Sequence, residues 1–179
     1  VSRSVVVARE DEPGQPRLVA YVVARQLREL EDSNGNGRFL VGAGLSLAQH
    51  NRNETAYLYH EIFEKQSYLR HGVSLRGARC VFDVGANIGM FTLFAAQQAP
   101  QARIYAFEPL APLCRTLRTN SAGLGERVKV FEHGLGAAEE AAPFTYYPRY
   151  TMMSGLSAYA DAAGEQAVIG QYLRNEQAA

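Results

Sequence analysis

Phe82-Asp83-Val84-Gly85-Ala86-Asn87-Ile88-Gly89 joins two runs of different period, and its reading decides the fold. The run that leads in, Cys80-Val-Phe-Asp-Val84, is short, apolar and β-branched, as a buried strand is. From Asn87 to about Gln98 the apolar residues Ile88, Phe91, Phe94 and Ala95 recur at helical spacing. Working outward, residues 103–107 read as a second strand, a helix led by Pro112 runs to about residue 122, and residues 127–131 read as a third strand. The order β-α-β-α-β requires parallel pairing through right-handed crossovers. The expected fold is α/β, a Rossmann-like half of a doubly wound, mostly parallel sheet.

Upstream, residues 39–50 look like short strands broken by Gly42 and Gly44. Asn51-Arg52-Asn53-Glu54 has the spacing of a capping box, and Leu58, Ile62 and Leu69 follow as an apolar stripe that Gly72 stops. Earlier still, residues 4–8 and 18–23 are strand-like and flank Pro13-Gly14, which predicts an N-terminal β-hairpin. Residues 25–32 are charged and suit a short helix, and Ser33-Asn-Gly-Asn-Gly37 has linker composition. The expected organisation is therefore residues 1–23, a linker over 24–37, and a second unit over 38–179.

The chain has 179 residues, 47% of them hydrophobic and 20% charged, enough to bury a core and too apolar for wholesale disorder. Eighteen basic residues cancel eighteen acidic ones, so no charge excess points to nucleic acid or an anionic membrane. No apolar run approaches the ~18 residues of a membrane span, and cytoplasmic is the default. Cys80 and Cys114 form no CxxC pair, which argues against a disulfide scaffold and against a metal site.

In open α/β sheets ligands bind beyond the carboxyl ends of the strands, where Gly85 and Gly89 let a ligand approach the backbone. The start of the following helix presents N–H groups suited to a carboxylate. Glu108 follows the second strand, where a carboxylate accepts hydrogen bonds from ribose hydroxyls. A dinucleotide fold prefers G-x-G-x-x-G, but Asn87 stands two residues after Gly85, giving G-x-x-x-G. Asp83 would repel a pyrophosphate and attract the amino group of S-adenosylmethionine. The pattern favours S-adenosylmethionine over a nicotinamide cofactor.

Residues 81–93 with Tyr105-Ala-Phe-Glu-Pro109 closely resemble the FkbM-type S-adenosylmethionine-dependent methyltransferases. Asn53-Glu-Thr55, Glu61-Ile-Phe63, Tyr68-Leu-Arg-His-Gly72 and Tyr147-Pro-Arg-Tyr-Thr-Met-Met-Ser-Gly-Leu156 look like the forms of that family embedded in peptide and polyketide synthetases. The resemblance implies that Asp83, Gly85, Asn87 and Gly89, with Ala86 in the same loop, line the methionine and ribose side of the cofactor. It implies Glu108 on the ribose diol, Pro109 and Leu110 beside the adenine, and His133 and Gly134 at the adenine edge. The opening hairpin is similar to the C-terminal subdomain of adenylation domains, so residues 1–23 read as its remnant and 38–179 as a partial methyltransferase domain.

The resemblance implies methyl transfer to a hydroxyl of a small or carrier-tethered natural-product intermediate, with flanking synthetase domains as partners. N-methylation of an aminoacyl or peptidyl intermediate is the runner-up; a non-catalytic fragment and a nicotinamide-dependent oxidoreductase are the other readings. FkbM-like enzymes carry an acidic Lys-Ile-Asp-x-Glu-Gly motif on a fourth strand, and residues 131–179 contain no such run. The catalytic residues are therefore expected beyond Ala179 and stay unassigned. Of the four histidines, His133 is best placed, because it follows a strand at the ligand edge. Tyr57, Tyr59 and Tyr68 suit a cap over the cofactor and a core stripe equally.

Overall fold

A computed structural model describes residues 3–9, 17–23, 29–31, 37–41, 44–148, 150–159 and 164, with side chains described only from residue 37 onward. The opening strands β1 (Arg3–Arg9) and β2 (Arg17–Val23) pair antiparallel, Arg3 opposite Val23, which is the expected hairpin. The Pro13-Gly14 turn lies outside the described residues. A second antiparallel sheet follows in the order β3 (Glu29–Glu31), β4 (Gly37–Val41), β5 (Leu45–Ala48). The charged stretch read as a short helix thus contributes a strand instead. Pairing with β4 overrides the weak helical preference of an isolated Glu-Leu-Glu run.

Helix α1 (Arg52–Tyr59) starts as its sequence dictates, with the Asn51 side chain accepting from the backbone N–H groups of Asn53 (2.8 Å) and Glu54 (3.1 Å). It runs into a π turn over His60–Glu64 and ends at Gln66, whose φ is +50°. Next comes the parallel sheet β6 (Cys80–Val84), β7 (Arg103–Phe107), β8 (Val128–Phe131), with α2 (Met90–Gln98) and α3 (Ala111–Ser121) as crossovers. Register pairs Val84 with Phe107 and Phe107 with Phe131. Beyond it β9 (Phe144–Thr145) and β10 (Gly155–Leu156) form a two-residue antiparallel pair.

Three parallel strands in sequence order, joined by right-handed crossovers, must carry both helices on one face. That face packs Val81 and Ile104 against Ala95, Ala96 and Ala99 of the α2 region, and Ala106 against Leu117 of α3. The opposite face is a ladder of aromatic rings in which Phe82 stacks on Tyr105 and Phe107, and Phe107 on Phe131. Phe82 remains 61% exposed. Helix α2 is apolar nearly all round because it is sandwiched. Its alanines meet the sheet, and Met90 and Phe94 meet Phe39, Leu47 and Ile62 of the antiparallel layer. Asn120 on α3 closes the layers, since its amide exchanges bonds with both backbone groups of Ala48 and donates to the Ile88 carbonyl (2.8 Å).

Candidate cofactor site

The junction after β6 is built by backbone pairing. The N–H groups of Gly85 and Ala86 both donate to the Phe107 carbonyl at 2.9 Å, and the Glu108 N–H donates to the Phe131 carbonyl at 3.0 Å. These bonds set Gly85 and Glu108 side by side at the carboxyl edge. The turn itself needs left-handed backbone, with φ +75° at Gly85, +51° at Asn87 and +90° at Gly89. Asparagine tolerates that region because its own side chain supplies a local bond, here Oδ1 accepting from the Ile88 N–H at 2.7 Å.

Glu108 is 4% exposed and faces the turn. One carboxylate oxygen accepts from the Asn87 N–H at 2.8 Å and the other from the Leu110 N–H at 2.9 Å. Each oxygen has a second lone pair, so the group can still receive two hydroxyls. Burial holds this carboxyl above its ordinary range; the two N–H groups oppose that and the Asp83 charge adds to it. Gly85, Asn87, Glu108, Pro109 and Leu110 share the wall of a cleft of about 290 Å³. A side chain added at Gly85 would meet nothing within 4 Å, so this is open space over bare backbone.

The remaining expected residues lie around the cleft rather than on its wall. Gly134 packs beneath it, a Cβ there falling 3.8 Å from the Phe144 ring and 3.9 Å from Pro109. His133 is exposed, and neither it nor Ala86 lines the cleft. At Gly89 a Cβ would sit 2.6 Å from Leu117 Cδ1, so a glycine there lets α2 start tight against α3. Asp83 points to the helical face of the sheet, is 6% exposed, and accepts from the Thr92 hydroxyl at 2.5 Å.

Burial raises the Asp83 carboxyl, and the Thr92 hydroxyl and N–H pull the other way. A raised folded-state pKa means the folded chain holds the proton longer than the unfolded one, so stability from this group is full at acid pH and lost as pH rises. Asp83→Asn keeps an acceptor for Thr92 and removes the charge. Its melting temperature relative to the parent should therefore increase from about pH 4 to about pH 7. A difference that stays flat across that range in thermal melts would refute the burial of a charged Asp83.

The far wall of the cleft comes from distant segments: Leu58 and Tyr68 before the sheet, Tyr68 being one of the residues whose pattern suits a cap and a core stripe equally, and Phe144, Thr151, Met152 and Ser154 after it. Glu54 ties these walls together. Having the capping-box position, it was expected to reach back to Asn51. Its carboxylate instead accepts from the Thr151 N–H (3.1 Å), the Thr151 hydroxyl (3.0 Å) and the Met152 N–H. Thr151 accepts in turn from Asn87 Nδ2 at 3.0 Å. The only signal in the sequence was that Asn53-Glu-Thr55 and the 147–156 run both stood out in the family resemblance. Glu54→Ala leaves three donors without their acceptor, at about 1–3 kcal/mol per buried group. Amide exchange at residues 151–153 should speed up markedly, and affinity for S-adenosylhomocysteine should drop about 10-fold. Unchanged protection there would show that the clasp does not hold the segment.

The chain is 43% identical over 180 residues to the AMB antimetabolite synthetase AmbE of Pseudomonas aeruginosa, a match covering 98% of this chain and 8% of that protein. It is 40% identical over 126 residues to the 31-O-demethyl-FK506 methyltransferase FkbM of Streptomyces tacrolimicus, covering 70% of this chain and 48% of the relative. The chain thus spans about half of one relative and a small part of the other. No family model matches it. Among solved structures, a SAM-dependent O-methyltransferase from Thermotoga maritima overlays with a TM-score of 0.36 at 17% identity, covering 73% of this chain and 55% of that one, a likeness too low to weigh. By sequence, then, the chain is similar to part of a synthetase and to about half of an FkbM methyltransferase.

Proposed function

We propose that residues 38–179 belong to an S-adenosylmethionine-dependent methyltransferase domain that methylates a hydroxyl of a carrier-tethered natural-product intermediate, with residues 1–23 the remnant of an adenylation subdomain and 24–37 the link. The observation that carries it is the buried Glu108 carboxylate set beside the bare Gly85 backbone on one cleft wall. The group that fits is a nucleoside with a vicinal diol and a charged amino-acid tail, and when bound it supplies an activated methyl on a sulfonium. Glu108 accepts the two ribose hydroxyls with its free lone pairs. Pro109, Leu110 and Phe144 form the apolar walls for the base, with Gly134 giving Phe144 and Pro109 room to close. The turn at Gly85–Gly89 receives the tail, and Asp83 beneath it adds negative potential for an ammonium.

The rest of the chemistry is positioning. Residues 150–154, pinned by Glu54 at Thr151, keep water from the cleft and hold an acceptor in line, which is most of what sulfonium transfer needs. Assignment to oxygen rests on the kinship with FkbM, whose name places its methyl group on an oxygen; nitrogen is the alternative acceptor. The decisive experiment is calorimetric titration of the chain with S-adenosylhomocysteine and with NADH. We expect tight binding of the first and none of the second. Preferential binding of NADH would overturn the reading.

A further inference from the structure

The cofactor cleft has a neighbour. Across Leu58, Tyr68 and Met152 lies a second hollow of about 260 Å³ whose other walls are Tyr57, Glu61, Ile62 and Ser67. The three shared residues form the boundary between it and the cleft. Its size is below the ~300–1,000 Å³ of a complete small-molecule site, so it suits one portion of a larger ligand.

The cofactor reading decides which end opens here. Glu108, Pro109, Leu110 and Phe144 form the sugar and base end, and Gly85 with Asn87 the tail end. What remains of the wall is Leu58, Tyr68, Leu113, Thr151, Met152 and Ser154, and three of these six, Leu58, Tyr68 and Met152, also line the second hollow, so on the cofactor reading the reacting group of a bound nucleoside faces the shared side. We propose that the second hollow is the acceptor subsite, and that it takes the neutral, apolar or aromatic part of the acceptor next to the atom that receives the methyl. The inference rests on the cofactor reading above and deepens it.

Four features support this chemistry. The walls are largely apolar: two tyrosine rings, Leu58 and the Met152 side chain. Tyr68 is braced by Phe91, ring centroids 5.0 Å apart, so the ring offers a flat face at little entropic cost. The one charge, Glu61, is already spoken for: Lys65 Nζ lies at 2.6 Å and the Ser67 hydroxyl at 2.8 Å. A cationic acceptor would have to displace Lys65, and an anionic one would meet a carboxylate, so a neutral group fits best. Met152 stands at the partition, fixed by its N–H bond to Glu54, and a thioether adapts to varied apolar shapes.

The test uses three tertiary-amine analogues of S-adenosylmethionine, with nitrogen in place of the sulfonium and methyl, benzyl or carboxymethyl as its third substituent. Burying a ring should make the benzyl analogue about 10-fold tighter than the methyl one in calorimetry. The carboxymethyl analogue should show no such gain. In Tyr57→Ser, the benzyl-to-methyl affinity ratio should fall to about 2-fold or less. Tyr57 is 52% exposed, so this change does not threaten folding. Equal binding of the benzyl and methyl analogues to the parent, or an unchanged ratio in Tyr57→Ser, overturns the subsite while leaving the cofactor site standing. Failure of the methyl analogue to bind overturns the cofactor reading itself, and the subsite with it.

Discussion

Glu108→Ala abolishes useful affinity for S-adenosylhomocysteine, with a loss of at least ~100-fold in calorimetric titration. Two effects add. The ribose hydroxyls lose a charged acceptor, worth about 1.5–3 kcal/mol per bond. The Asn87 and Leu110 N–H groups, at 2.8 and 2.9 Å from the carboxylate, also lose their partner, so the glycine turn is no longer held against β7. Glu108→Gln separates the two: it keeps the shape but has one oxygen, so one of the two N–H groups faces an amide NH2. Its expected loss lies between parent and alanine, about 10-fold. Parent-like affinity in both variants would remove Glu108 from the site, and the methyltransferase reading would lose its central support.

The second large effect is on stability. Gly89→Ala should destabilise the chain by about 2–4 kcal/mol, combining overpacking with the left-handed backbone penalty. The new methyl meets Leu117 Cδ1 at 2.6 Å, and Leu117 is fully buried, so the leucine can yield only by disturbing the α2–α3 contact. For a chain of this size that corresponds to a fall of about 5–15 °C in melting temperature. Gly85→Ala gives the opposite pattern. Its φ of +75° costs about 1–2 kcal/mol of strain, and the added methyl meets no atom within 4 Å because it enters the open cleft. It should cost roughly 10-fold in S-adenosylhomocysteine affinity and only a few degrees of melting temperature. If Gly89→Ala melts like the parent while Gly85→Ala does not, the division of labour between these glycines is wrong.

Both variants probe a motif that reads as one unit in the sequence. G-x-x-x-G after a strand suggested two glycines with one purpose, close approach of a ligand. The fold leaves open space over Gly85 and sets Gly89 against Leu117, because only the helix crossing shows what lies opposite each missing Cβ. Asp83 shows the same limit. Its place in the strand was evident, but strand alternation turns it to the α2 face, where it bonds Thr92. Residues 29–31 differ for a related reason: three residues carry little intrinsic preference, and pairing with β4 decided their state.

What the sequence determined by itself is the local and periodic part. Apolar runs of period two and 3.6 specified β6-α2-β7-α3-β8, their order required parallel strands, and parallel strands put the turn after β6 beside the residue after β7. The adjacency of Gly85 and Glu108 follows from those steps alone. The tertiary structure decided what depends on segments distant in the chain. Glu54 and Thr151 are 97 residues apart, and nothing in the spacing of either says that they bond. The clasp, the outer wall of the cleft and the hollow beyond Met152 exist only because α1 and the 144–154 segment converge over the sheet edge. Periodicity records which way a side chain faces within its own element; it carries no information about which distant element arrives to meet it.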